Sequence, residues 1–193
     1  MSRIRNMADS LATRKPLNNG HSIPSIHLGV YLMSGKEAAQ AVGHALDAGY
    51  RAVDSAQMYH NEREVGNAIQ NWRKSHPEVT REDMHYTTKL ATNSDYERAR
   101  KSIAKSVKEC GLGYVDLFLL HSPYGGKQAR LESWRAVEDA IEAGEVRSGG
   151  VSNYAEKHVS DIRILPCQHS LTFTTDRRTS LFQASDSAYS QSD

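Results

Sequence analysis

From about residue 26, short runs of β-forming residues alternate with longer stretches whose apolar positions recur every three or four residues. The β-forming runs are 26–31, 51–54, 84–89, 114–121 and 146–152. Between them, the stretch 37–48 places Ala38, Ala41, Val42, Ala45 and Leu46 on one helical face. The stretch 96–110 repeats this with Ala99, Ile103 and Val107, and 131–143 with Trp134, Val137 and Ile141.

The boundaries carry matching signals. Ser34/Glu37, Asn61/Glu64, Ser94/Glu97 and Asn153/Glu156 each set a capping residue three positions before a glutamate. Such a pair satisfies two N–H groups that a helix start leaves unpaired. Gly49, Gly111 and Gly144 follow three of the predicted helices, where a left-handed residue ends a helix cheaply. Upstream, Asn19-Gly20 between Leu17 and Ile23 predicts a β-hairpin with a type I′ turn.

Strands alternating with helices predict parallel β/α units. Strand starts near 51, 84, 114 and 146 are about thirty residues apart, the length of a βαβ repeat. An eight-unit barrel takes about 250 residues, and here the pattern fades near residue 160 after five strands. From 161 the chain becomes Ser/Thr-rich, with no further glycine, no helical period and no sixth strand marked by turn residues. The expected organisation is a flexible arm over 1–16, a partial barrel over 17–160 and a disordered tail over 161–193. Five unclosed strands are expected to leave the first and fifth edges open to self-association. Inward residues such as Leu117 and Leu119 are expected to lose their partners across the barrel.

Composition narrows the classes. The 193 residues carry 24 Lys+Arg against 23 Asp+Glu, a net charge of +1 that argues against a nucleic-acid binder relying on a basic field. A mean hydropathy of −0.62 and the lack of a long apolar run point away from a membrane helix, and the sparse cysteines suggest a reducing compartment, so a cytoplasmic protein is expected. Cys110 and Cys167 make neither a disulfide framework nor a zinc site. The histidines include no His-x-His or His-x-x-x-His pair, so no metal site is expected. No Gly-x-Gly-x-x-Gly follows a strand.

In β/α barrels, chemistry sits where strands end at their C-terminal edge. Along that edge this chain sets Tyr31, then Asp54 and Tyr59, then Lys89, then His121, then Ser152-Asn153. Taken singly, Asp54 reads equally as a helix cap, Tyr59 as packing, Lys89 as a snorkelling lysine and His121 as a core histidine. Together they resemble the aldo-keto reductases, NAD(P)H-dependent carbonyl reductases on a (β/α)8 barrel closed below by an N-terminal hairpin. The resemblance rests on Gly49-Tyr50-Arg51-Ala52-Val53-Asp54-Ser55-Ala56-Gln57-Met58-Tyr59-His60-Asn61-Glu62, Thr87-Thr88-Lys89-Leu90, Val115 to Pro123, and Val146 to Tyr154.

That resemblance implies a tetrad of Asp54, Tyr59, Lys89 and His121. Tyr59 would protonate the alkoxide, Lys89 would stabilise the phenolate, Asp54 would balance the lysine, and His121 would orient the carbonyl. It also implies cofactor contacts from Val30, Tyr31, Asp54, Ser152 and Asn153, and substrate contacts from Tyr31 and His121. The implied cofactor is NADPH, with NADH as the alternative, and the implied partner is a small-molecule carbonyl. The family's nicotinamide-stacking aromatic, its glutamine and its 2′-phosphate cluster have no counterpart here, and Ser122 stands where tryptophan is common. The chain is therefore expected to be a C-terminally truncated member. A competing reading is an inactive fragment or interaction module.

Overall fold

The computed structural model describes residues 11, 13–163, 172–175 and 180–182. Cys167, most of the expected N-terminal arm and most of the tail lie outside them. Two short strands, β1 (Arg14–Pro16) and β2 (Ser22–Pro24), pair antiparallel as a hairpin. Its loop differs from the type I′ expectation. Leu17 N–H donates to the His21 carbonyl at 2.8 Å and Gly20 N–H to the Leu17 carbonyl at 3.2 Å. Only Gly20 in that loop has a positive φ, 84°. This is the three-residue loop closed by a left-handed glycine; Asn19 instead donates its side-chain amide to the Arg147 carbonyl and Ser148 Oγ.

The main sheet follows in chain order: β3 (Leu28–Gly29), β4 (Ala52–Asp54), β5 (His85–Leu90), β6 (Val115–Leu120) and β7 (Val146–Val151), all parallel. Helices α1 (Gly35–Asp47), α2 (Glu62–Lys74), α3 (Tyr96–Cys110), α4 (Gly126–Glu142) and α5 (Glu156–Arg163) follow β3 to β7 in turn. This is a partial (β/α)8 barrel with an N-terminal hairpin. Two further strands extend it, β8 (Thr172–Thr175) parallel to β7 and β9 (Ser180–Phe182) antiparallel to β8. They correct the expectation of no strand beyond the fifth. Thr-Phe-Thr-Thr is β-branched and aromatic, and the outer edge of β7 supplies the ladder groups it needs.

The strand pleat divides β6 between two environments. Phe118 and Leu120 join the core under the helices with Val53, Tyr86, Ile103, Trp134 and Val137. Leu117 and Leu119, each 1 % exposed, pack with Leu17 and Ile23 of the hairpin region. Where the loss of partners across the barrel is expected, the hairpin region covers both leucines.

The caps are more varied than the repeated glutamate pattern suggests. Ser34 and Glu37 form a full capping box on α1. On α3 the cap is Asp95, not Ser94, accepting from Arg98 N–H at 3.0 Å. Asn61 precedes α2 but makes no cap bond with its side chain. Asn153 turns with a φ of 61° ahead of α5. Helix α4 starts five residues before the predicted position, at a glycine pair offering no capping side chain.

Candidate functional site

The same pleat fixes which strand residues face the site. On β5, Tyr86 packs into the helix-side core and Thr88 Oγ1 reaches Glu62 of α2 at 2.6 Å. Lys89, next in line, therefore points to the opposite face, in register with the interior Leu119 of β6. There its ammonium is hydrogen-bonded to Asp54, at the end of β4, and donates to the Ser55 carbonyl at 3.0 Å. Lys89 is only 6 % exposed, so these two acceptors supply what water would otherwise provide.

Tyr59 ends a single 3₁₀ turn, Gln57–Tyr59, between β4 and α2. The Lys89 nitrogen lies 5.3 Å from the centre of the Tyr59 ring. On the other side, the His121 ring stands edge-on to Tyr59, with centroids 5.9 Å apart at 76°. Tyr31, exposed, tilts against the same ring at 5.1 Å. The four tetrad candidates and Tyr31 are thus brought together around one phenol.

His121 follows β6 and is half-buried. Burial first, and the Lys89 cation second, hold its pKa below the usual histidine value, with Asp54 opposing. A neutral imidazole follows, with one ring N–H and one acceptor nitrogen. Its Nδ1 is buried without a hydrogen-bond partner among the described residues.

Ser152 and Asn153 sit just past β7. The Asn153 amide donates to the His121 carbonyl at 2.9 Å and to Ser152 Oγ at 3.1 Å, so it braces the backbone of His121. Val30 is fully buried in the helix-side core, and its N–H donates to the Asp54 carbonyl at 3.1 Å. Its side chain therefore does not face the site. Tyr31 beside it does.

Several supporting residues escape a sequence reading. Asn61, fully buried, accepts from Ser55 Oγ and donates to the carbonyls of Val30 and Met33. Asn93, 6 % exposed, donates to the carbonyls of Ser122 and Tyr124 and so holds the loop after His121. Amides of this kind serve backbone groups scattered through the chain, and no local spacing signals them.

A family profile described as the aldo/keto reductase family matches residues 26–176, well over half of the chain. The chain belongs to the aldo-keto reductase family. An uncharacterised oxidoreductase of Schizosaccharomyces pombe is 45 % identical over 156 residues, covering 78 % of this chain and 55 % of that protein. A solved aldo/keto reductase of Brucella melitensis superposes with a TM-score of 0.78 at 36 % identity, over 85 % of this chain and 62 % of that one. An aldo-keto reductase of Bombyx mori, solved in complex with NADP, gives 0.76 at 31 % identity, over 85 % and 58 %. This aldo-keto reductase chain spans about half the length of the curated relatives it matches.

Proposed function

We propose that this chain reduces an aldehyde, ketone or sugar carbonyl to the alcohol at the Asp54–Tyr59–Lys89–His121 cluster, with NADPH as reductant. The observation that carries the reading is the Lys89 ammonium, buried, bonded to Asp54 and 5.3 Å from the Tyr59 ring.

A phenol with an ordinary pKa of about 10 gives up a proton reluctantly at neutral pH. A fixed cation beside it favours the phenolate that remains after the proton has gone. Lys89 supplies that cation, and Asp54 keeps it from being a lone buried charge. Tyr59 is the general acid, delivering its proton to the oxygen of the reduced carbonyl. His121 orients that oxygen with a neutral imidazole, which adds no second cation to compete with Lys89.

The nicotinamide end of the cofactor fits the residues present. The Asn153 amide nitrogen is committed to His121 and Ser152, which leaves its Oδ1, an acceptor, as the atom suited to the N–H2 of a carboxamide. Ser152 Oγ and the backbone at Val30-Tyr31 complete the holding set. When bound, the dinucleotide supplies the hydride. The choice of NADPH over NADH draws on the Bombyx mori relative, which was solved with NADP.

The test is quantitative reduction: alcohol formed and NADPH consumed in equal amounts across a broad aldehyde and ketone panel. Equal turnover with NADH would revise the cofactor assignment. No consumption with any carbonyl, and no quenching of NADPH fluorescence, would favour the competing reading of an inactive fragment or interaction module.

A further inference from the structure

Gln57 opens the 3₁₀ turn that Tyr59 closes, and its side-chain amide is committed on every side. Its Oε1 accepts from Ala91 N–H at 2.9 Å and from Ser102 Oγ at 3.1 Å. Its Nε2 donates to the Ser102 carbonyl at 3.1 Å and to Ser106 Oγ at 2.9 Å. Ala91 lies two residues beyond Lys89. The Ala91–Gln57 bond therefore closes a short ring through Lys89, Leu90, Ala91, Gln57, Met58 and Tyr59, with both members of the proposed proton-donor pair in it. The three bonds to Ser102 and Ser106 of α3 hold that ring to a helix.

We propose that Gln57 is a positioning residue that fixes Tyr59 over the Lys89 ammonium. The turn itself is short, Gln57–Tyr59. Its backbone is closed by single bonds, Tyr59 N–H to the Ala56 carbonyl at 2.9 Å and His60 N–H to the Gln57 carbonyl at 3.2 Å. It ends in His60 at a φ of 55°, a conformation non-glycine residues adopt sparingly. Met58, between Gln57 and Tyr59, is 58 % exposed. Asn61 ties the following residue to Ser55 and to the Val30–Met33 loop, so it orients the turn toward Tyr31. Gln57 ties the turn to the end of the Lys89 strand through the Ala91 N–H. A displacement of about 1 Å in a reacting group costs on the order of a hundredfold in rate, so an anchor at this point has leverage on the chemistry.

This inference deepens the reductase reading, since the register of Tyr59 over Lys89 matters to function only if the pair works together. Its test does not need turnover. Tyrosine labelled with ¹³C at Cζ is introduced into the full chain, and the Tyr59 resonance is assigned by its loss in Tyr59→Phe. In the otherwise unaltered protein, Lys89→Met moves the Tyr59 resonance. With Gln57→Leu in place, the same lysine change leaves Tyr59 unmoved, while the buried Tyr86 resonance stays where it was. An equal response to Lys89→Met with and without Gln57 overturns the proposal. Gln57→Ala, which removes the same bonds with a smaller side chain, gives the same loss of response; a retained response in that variant also overturns the proposal, and this arm remains decisive if the leucine variant does not fold. Absence of carbonyl turnover in the unaltered chain would sink the reductase reading and leave these resonance shifts to decide the role of Gln57.

Discussion

Lys89 and Asp54 meet side chain to side chain from neighbouring parallel strands, and the two partners are unequally buried. The Lys89 side chain is 8 % exposed, that of Asp54 29 %. Removing one side of a buried pair costs chiefly what the stranded charge loses. Asp54→Ala strands a buried ammonium, while Lys89→Met leaves a carboxylate that already reaches water. Asp54→Ala is therefore the more destabilising, by roughly 2–3 kcal/mol, below the full cost for a wholly buried pair because of the exposure of Asp54. Urea unfolding of the two variants side by side gives the order. A larger loss for Lys89→Met contradicts it.

The barrel interior also holds two histidines that the proposed chemistry does not use. His27 and His85 stack obliquely, with centroids 5.2 Å apart, and His85 is 2 % exposed. Burial holds both below the ordinary histidine pKa, His85 far below, with the neighbouring His27 as its second cause. The unfolded chain then binds protons near pH 6.5 that the folded chain refuses. Stability is complete above that pH and is lost as the pH falls through it. The urea midpoint should drop between about pH 7.5 and pH 5.5, and His85→Phe should drop less. An unchanged slope in His85→Phe would show that this pair does not carry the dependence.

Glu62 behaves in the opposite sense. Burial raises its pKa, with the hydroxyls of Thr88 and Ser106 pulling the other way. A carboxyl raised in the folded state favours folding at low pH and loses that contribution as the pH rises through its folded value. Glu62→Gln removes the charge and keeps an oxygen for Thr88. Its melting temperature should exceed that of the unaltered chain at pH about 8 and lose that advantage near pH 4. A lower melting temperature at both pH values refutes the assignment.

Helix α2 leans on α3 at a point with no room for a side chain. A Cβ added at Gly66 would lie 1.8 Å from the Cys110 carbonyl oxygen and 2.8 Å from its Cα. These are backbone atoms at the end of a helix, so the helices would have to separate. Gly66→Ala should cost about 3 kcal/mol or more and lower the soluble yield. A loss under about 1 kcal/mol would mean that the two helices slide freely.

Much of this arrangement is legible in the sequence because strand parity is strict. Once 84–89 is a strand followed by a helix, Lys89 must face the site if Tyr86 and Thr88 face the helices. The end of β4 likewise places Asp54. What resists reading depends on partners distant in the chain. Asn61 has the spacing of a helix cap, but its amide is drawn inward by Ser55 and by carbonyls some thirty residues upstream. Leu117 and Leu119 look partnerless because the hairpin that covers them lies about a hundred residues earlier. The Asn19-Gly20 turn uses one left-handed residue where the dipeptide suggests two, since Asn19 spends its side chain on β7. Strand β8 sits in a segment whose composition conceals it.

The central claim is that Tyr59, backed by Lys89, hands a proton to a carbonyl oxygen. The most direct measurement compares NADPH consumption and alcohol formation by the unaltered chain and by Tyr59→Phe, with dinucleotide affinity followed by fluorescence quenching. Turnover is expected to fall about 10²–10⁴-fold in Tyr59→Phe, with affinity changed less than about threefold. Equal turnover in the two proteins would contradict the claim.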